Sequence, residues 1–184
     1  MLFKSKLRIH LYFLIINAFI AMLIVCRYFV YLPEFPTDIL GFSFLVTSVI
    51  SHMTLLIVIL GVVLIPFLLL PSIPRRIVQV TALSLALIVL FIDTIVFAQY
   101  RFHISIIMLE LVMSGQIVSF SFMTWLMAIA GIAIVWVAQY ILLVYLEKKN
   151  EKLQQWKIGK KFAAIVIIGL LISNGIHILS LIHI

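Results

Sequence analysis

The chain has 184 residues, of which 66% are hydrophobic and 10% are charged, and its mean hydropathy is +1.34. A soluble fold of this size cannot bury so much apolar surface, so the composition excludes a soluble protein and indicates an integral membrane protein. Its apolar runs of about 20 residues are continuous rather than alternating, which favours helices over the strands of a barrel. We therefore expect an all-α, multi-pass membrane protein.

Five apolar segments are long enough to cross a membrane. They cover approximately residues 11–29, 42–70, 77–97, 120–146 and 162–178. The second segment is longer than one crossing requires, so it is expected to tilt, to start above the membrane or to bend at Pro66, where a backbone donor is lost. Before it, Thr37 or Asp38 is placed to cap the helix. After it, residues 71–76 are expected to form a tight turn.

The basic residues predict the orientation of these segments. Eleven of the 13 lysines and arginines fall on one side, and only Arg27 and Arg101 fall on the other. Because short cytoplasmic loops retain positive charge, the N-terminus is predicted to be cytoplasmic and the C-terminus to lie outside. The net charge of +7 is divided among three clusters beside the membrane, which favours anionic lipid over nucleic acid. Lipid or partner contacts are expected at Arg75, Arg76, Lys148, Lys149, Lys152, Lys157, Lys160 and Lys161, with Trp156 as an interfacial anchor.

Three shorter features carry expectations of their own. The first apolar segment is too long for a cleaved signal peptide and predicts an uncleaved anchor. Cys26, the single cysteine, is expected to be a buried packing residue. Residues 105–114 are apolar but too short to span, so we expect a helix lying in the outer interface, with a re-entrant segment as the alternative.

Charged side chains in membrane helices are costly and mark candidate functional positions. Asp93 is the sole carboxylate within the five predicted segments and lies near their outer side. Arg27 is expected at about the same depth in the membrane as Asp93, and Arg101 and His103 lie just after the end of the third segment. We expect Asp93 to pair with Arg27 or Arg101, with simple hydration of the carboxylate as the alternative.

Two further polar residues, Asn17 and His52, lie deeper in the predicted helices. A proton relay needs several such groups in succession, so hydrogen bonds between helices are the favoured role. The sequence contains no nucleophile elbow, phosphate-binding loop or zinc-protease motif. We therefore expect no catalytic, cofactor or metal site in this chain.

Several short motifs together resemble one family in their order and spacing. They are Asn17, Arg27-Tyr28, Pro36-Thr37, Ser51-His52, Pro66, Ile92-Asp93, Val96-Phe97, Arg101-Phe102-His103, Ser173 and His177-Ile178. Over residues 8–178 the chain is similar to the YejM (PbgA) family of inner-membrane proteins from Gram-negative bacteria. Such proteins have a five-helix N-terminal domain of the DUF3413 type, followed by a periplasmic sulfatase-like domain. Ser105 departs from the pattern, because family members tend to have asparagine there.

The resemblance implies regulation rather than catalysis. Family members are associated with control of lipopolysaccharide synthesis: the membrane domain engages the adaptor LapB and restrains degradation of the deacetylase LpxC by the protease FtsH. Lipopolysaccharide sensed at the periplasmic face modulates that contact. Binding or transport of cardiolipin, and anchoring of a periplasmic hydrolase, are the alternatives. Structural or regulatory roles are expected for Asn17, Arg27, His52, Asp93, Arg101, His103 and His177.

The last six residues, Leu-Ser-Leu-Ile-His-Ile at 179–184, match the in-frame translation of a transposon end used in sequencing-library preparation. The family continues after His177-Ile178 with a different stretch that enters the periplasm. We therefore expect residues 179–184 to be a non-native tail, with an ordinary apolar helix end as the alternative. Residues 1–178 are then a five-helix transmembrane domain whose sulfatase-like domain is missing.

Overall fold

A computed structural model describes residues 2–32, 34–106, 110, 121–149 and 175, and the regular structure in this part of the chain is helical. Its four long helices are each apolar and long enough to cross a membrane. They are α1 (Leu2–Val25), α2 (Ile39–Leu64), α3 (Ser72–Tyr100) and α4 (Phe122–Lys148). The chain is thus a helical membrane protein. The predicted fifth segment, 162–178, and most of the predicted interfacial helix, 105–114, lie outside the described residues.

Helix α2 is capped by Asp38 and interrupted at Pro66, as the sequence predicted, although its bounds, Ile39–Leu64, differ from the predicted segment 42–70. Asp38 provides the N-cap, since its Oδ2 accepts a hydrogen bond of 2.7 Å from the backbone N–H of Gly41. The helix ends at Leu64, and a 3-10 turn, Pro66–Leu69, follows. Proline cannot donate the next helical hydrogen bond, so the overlong segment is broken there.

Helices α1 and α3 begin earlier than predicted. Helix α1 starts at Leu2, so the basic residues expected to precede it lie within its first turns. Helix α3 starts at Ser72, and the expected turn over residues 71–76 is therefore wrong. Pro74 lies in the first turn of α3, where its missing N–H costs no hydrogen bond. Lys6 links the first turns of α1 to the segment just before α3, because its Nζ donates to the carbonyls of Leu68 (3.0 Å) and Leu70 (3.2 Å).

Helix α1 packs against the three other long helices. Phe13, Leu83 and Leu143 are fully buried where α1, α3 and α4 meet. Gly61 of α2 allows a close approach to α1, since a Cβ there would lie 2.3 Å from a side-chain carbon of Leu14. Cys26 is exposed, so its predicted burial is wrong: α1 ends at Val25, and Cys26 begins the 3-10 turn that follows.

Candidate functional site

Asp93 is the centre of a polar cluster at the C-terminal end of α3. Its carboxylate accepts hydrogen bonds from the hydroxyl of Tyr28, from Nδ1 of His103 at 2.7 Å and from the backbone N–H of Ile104 at 2.6 Å. The Asp93 side chain is 16% exposed. Three donors therefore satisfy this carboxylate, and they join the 3-10 turn after α1 (Cys26–Tyr31), α3 and the segment after α3.

Aromatic rings pack around this carboxylate. The His103 ring stacks on Phe97 with centroids 4.9 Å apart, and the Tyr28 ring meets Phe97 edge-on at 5.1 Å. Offset and edge-to-face pairs of this kind are favourable beyond the area they bury. We call Tyr28, Asp93, Phe97 and His103 the aspartate cluster. Its rings hold the two side-chain donors in position against Asp93.

The expected ion pair of Asp93 with Arg27 or Arg101 is wrong. The Arg27 guanidinium lies 4.9 Å from the centre of the Phe91 ring, and that of Arg101 lies 4.6 Å from the Tyr31 ring. Arg27 precedes Tyr28 by one residue in the 3-10 turn after α1, which turns its side chain about 120° around the helix axis and away from Asp93. Arg101 ends α3 in the left-handed conformation (φ 62°), and the chain beyond it returns His103 and Ile104 to the carboxylate.

Asn17 forms the interhelical hydrogen bond that the sequence led us to expect. It is fully buried, and its Oδ1 accepts from Nε2 of Gln139 in α4 at 2.8 Å. Its Nδ2 donates to the carbonyl of Phe13, one turn earlier in α1, at 2.8 Å. The side chain thus ties α1 to α4 in the interior of the bundle.

A buried histidine, His10, joins α1 to both α2 and α3. Its Nδ1 accepts from Nε2 of Gln79 at 3.0 Å, so the imidazole proton resides on Nε2, which faces the Gly61 carbonyl at 3.1 Å. Sequence reasoning missed His10 because it fell before the predicted first segment. His52, expected to bond between helices, is exposed, and its Nδ1 donates to the carbonyl of Ser48 within α2 at 2.8 Å.

Two arginines share one carboxylate where α3 begins and α4 ends. Nη2 of Arg75 lies 2.7 Å from one oxygen of Glu147, and Nη2 of Arg76 lies 2.6 Å from the other. The side chains are 6%, 26% and 12% exposed, respectively. The expected lipid or partner contact is therefore wrong for Arg75, which is buried between helices. The reason is that α4 extends to Lys148 and brings Glu147, which sequence reasoning missed, beside the first turn of α3.

Lys148 and Lys149 remain on the surface at this end of the bundle. Nζ of Lys149 lies 4.6 Å from the centre of the Tyr145 ring. We call Lys6, Arg75, Arg76, Lys148 and Lys149 the basic end. Lipid or partner contacts by Lys148 and Lys149 stay a prediction. The remaining predicted positions, which lie outside the described residues, are Lys152, Trp156, Lys157, Lys160, Lys161 and His177.

Comparison with known proteins identifies the family. A family model described as a domain of unknown function (DUF3413) matches residues 3–182, almost the whole chain. The chain therefore belongs to this family, the N-terminal domain family of YejM/PbgA-type proteins. A search of curated proteins finds no significant match. Among the described residues, His, Cys, Asp and Glu form no group of three that could hold a metal ion.

Proposed function

We propose that this domain is a membrane-embedded regulatory module of a sulfatase-like protein of the Gram-negative inner membrane. It acts by binding another membrane protein, a LapB-type adaptor, and thereby restrains the degradation of LpxC by FtsH and controls lipopolysaccharide synthesis. Family membership over residues 3–182 is the observation that carries this proposal. Binding or transport of lipid, and anchoring of a periplasmic hydrolase, are the alternatives that the experiment below must separate from it.

Polar side chains join the helices of the bundle to one another, and this supports a role in binding. Asn17 bonds to Gln139 inside the bundle, Asp93 accepts from Tyr28 near one end, and Glu147 pairs with the arginines at the other. Hydrogen bonds between membrane helices contribute about 0.6–2 kcal/mol each. Together they fix how the helices pack and which faces point outward, and a defined outer surface is what recognition of a partner requires.

The proposed orientation places the basic end in the cytoplasm and the aspartate cluster at the periplasmic face. Lys148 and Lys149 then begin the basic stretch of residues 148–161 on the side where the adaptor and the protease pathway would act. With a fifth span over residues 162–178, the chain would leave the membrane on the periplasmic side. A sulfatase-like domain there could pass information about lipopolysaccharide to the membrane module.

Complementation tests this proposal. The 184-residue chain, and the same chain ending at residue 178, are expressed in a strain that lacks the full-length parent. We expect growth to be restored, the LpxC level to rise and the adaptor to co-purify with the chain. A Glu34→Gln variant, altered at an exposed loop position, serves as the matched control and should rescue equally.

Two results would contradict the regulatory role. One is good membrane expression without rescue or change in LpxC. The other is co-purification of stoichiometric phospholipid without the adaptor, which would favour the lipid alternative. Genomic sequence beyond codon 178 that lacks a sulfatase-like domain would contradict the proposed parent protein.

A further inference from the structure

Four polar side chains inside the bundle have atoms without a hydrogen-bond partner in the described part of the chain. These atoms are Nε and Nη1 of Arg75, Oε1 of Gln79, Oγ of Ser84 and Oε1 of Gln139. Each of the four residues is at most 5% exposed. A polar group that leaves water without gaining a hydrogen bond costs free energy, and lipid around the bundle supplies no such bond. The unpartnered atoms therefore indicate a bound molecule that forms hydrogen bonds with them.

Arg75 and Gln79 lie one turn apart near the beginning of α3. A spacing of four residues places both side chains on the same face of the helix. Nη2 of Arg75 is bonded to Glu147, and Nε2 of Gln79 is bonded to His10. The remaining Arg75 atoms can only donate a hydrogen bond, whereas Oε1 of Gln79 can only accept one. Buried donors and a buried acceptor thus lie beside each other without a direct bond between them.

Ser84 and Gln139 lie deeper in the bundle, at one common depth. The pair of Arg75 and Glu147 joins the beginning of α3 to the end of α4, so the two helices run antiparallel. Ser84 lies about 13 Å beyond Arg75 along α3, and Gln139 lies about 12 Å before the end of α4. Nε2 of Gln139 donates to Asn17. The Ser84 hydroxyl and Oε1 of Gln139 therefore form a second buried set that contains both a donor and an acceptor.

We propose that ordered water molecules are bound inside the bundle at these two levels, one beside Arg75 and Gln79 and one between Ser84 and Gln139. Water both donates and accepts, so it can bond to the free N–H and O–H groups and to the amide oxygens. An anion would bond to Arg75 but would be repelled by Oε1 of Gln79. Water does not neutralise Arg75, for which Glu147 remains the counter-ion. The contact between α3 and α4 is then hydrated to about 12 Å from the basic end, independently of the regulatory function proposed above.

Radiolytic footprinting of the full chain in lipid nanodiscs tests for water at both levels. An X-ray pulse converts water to hydroxyl radicals, which oxidise the side chains next to them, and mass spectrometry identifies the oxidised residues. We expect oxidation of two buried reporters: His10, which is bonded to Gln79, and Leu143, which lies one turn after Gln139. Met53, which is buried among apolar side chains, is the control. It should be oxidised less, although methionine is the more reactive residue.

Ser84→Ala assigns the labelling to one of the two levels. The variant removes the hydroxyl that holds the deeper water, so Leu143 should lose its oxidation. His10 should keep its oxidation, because its water is held by Arg75 and Gln79. Oxidation of both reporters no stronger than that of Met53 in the parent would overturn the proposal, as would unchanged oxidation of Leu143 in Ser84→Ala.

The melting temperature of Ser84→Ala separates bound water from a dry, unpaired hydroxyl. If water joins Ser84 to Gln139, the variant leaves Oε1 of Gln139 without its donor, and the melting temperature should fall. In a dry site the same change removes an unsatisfied group, so a higher melting temperature would overturn the proposal. Ser43→Ala, at an exposed position of α2, is the matched control and should melt like the parent. A parent melting temperature that rises when chloride replaces gluconate would assign the Arg75 donors to an anion and overturn the first site.

Discussion

Glu147→Ala tests how far the basic end depends on one carboxylate. Arg75 is only 6% exposed, and its Nε and Nη1 already have no hydrogen-bond partner within the described ranges. Removing Glu147 would leave this buried cation without its acceptor. Breaking a buried ion pair costs about 3–5 kcal/mol in soluble proteins, whereas polar pairs in membranes reach about 1.7 kcal/mol. Because Arg75 is buried and Arg76 is 26% exposed, we expect Glu147→Ala to lower the free energy of unfolding by about 2–3 kcal/mol, which lies between these limits.

The measurement is the free energy of unfolding in mixed micelles, titrated with denaturing detergent. Glu34→Ala, in the exposed segment before α2, is the control and should remain within about 0.5 kcal/mol of the parent. Arg75→Leu combined with Glu147→Leu should recover much of the lost stability, because removing both partners leaves no buried Arg75 charge. A double-mutant cycle should give a larger coupling of Glu147 to Arg75 than to the more exposed Arg76.

A free energy of unfolding for Glu147→Ala within about 0.5 kcal/mol of that for the Glu34→Ala control would refute a buried, dependent Arg75 charge, because that range is typical of surface substitutions. The same conclusion would follow if the double variant Arg75→Leu, Glu147→Leu were no more stable than Glu147→Ala. In that case the Arg75 charge would be hydrated or satisfied in another way, and the contact between α3 and α4 would rest on apolar packing.

Three further predictions address the other levels of the bundle. Asp93→Ala should lower the unfolding free energy by about 1–2 kcal/mol and more than Asp38→Ala, since three donors, two of them in partly buried hydrogen bonds, lose the Asp93 carboxylate whereas Asp38 provides only an exposed cap; equal losses would contradict this. Asn17→Leu leaves Gln139 without its partner, so adding Gln139→Leu should raise the melting temperature, and a further decrease would argue against the pairing. Alkaline phosphatase fused after residue 178 should be active and a fluorescent cytoplasmic reporter inactive; the reverse would refute the five-span topology.

Hydropathy located the four described helices because it sums a property of single residues over a long segment. It placed the start of α1 too late, since Lys4, Lys6 and Arg8 are charged and therefore fall before the apolar segment. Lysine and arginine are good helix formers, and a helix can continue beyond the apolar layer. His10 was overlooked for the same reason, although it is 1% exposed.

Partners of the charged residues were harder to predict than the helices. The depth of Asp93 identified the correct neighbouring segment, the 3-10 turn after α1, but Arg27 and Tyr28 lie on different sides of that turn. Counting Arg75 and Arg76 as surface cations ignored Glu147, whose position beside them depends on the antiparallel packing of α3 and α4. Pairing of this kind follows from which helices are neighbours, and hydropathy carries no such information.

One pattern in the sequence could have revealed the polar contacts of α1. At 100° per residue, Lys6, His10 and Asn17 lie within about 40° of one another around the helix. Arg75, Gln79 and Asp93 of α3 also lie within about 40°. Polar stripes of this kind are expected to face neighbouring helices, since each polar group needs a partner away from lipid, and His10 and Gln79 join the two stripes directly.

Two polar contacts fix how α1 and the 3-10 turn after it lie along α3. His10 bonds to Gln79 at one level, and Tyr28 bonds to Asp93 at another. Apolar side chains can exchange one neighbour for another at little cost, but a slip of one helical turn, about 5.4 Å, would break both polar contacts at once. The polar residues thus select a single packing arrangement among those that apolar burial alone would allow. A partner protein that recognises the bundle would then meet the same outer surface in every copy.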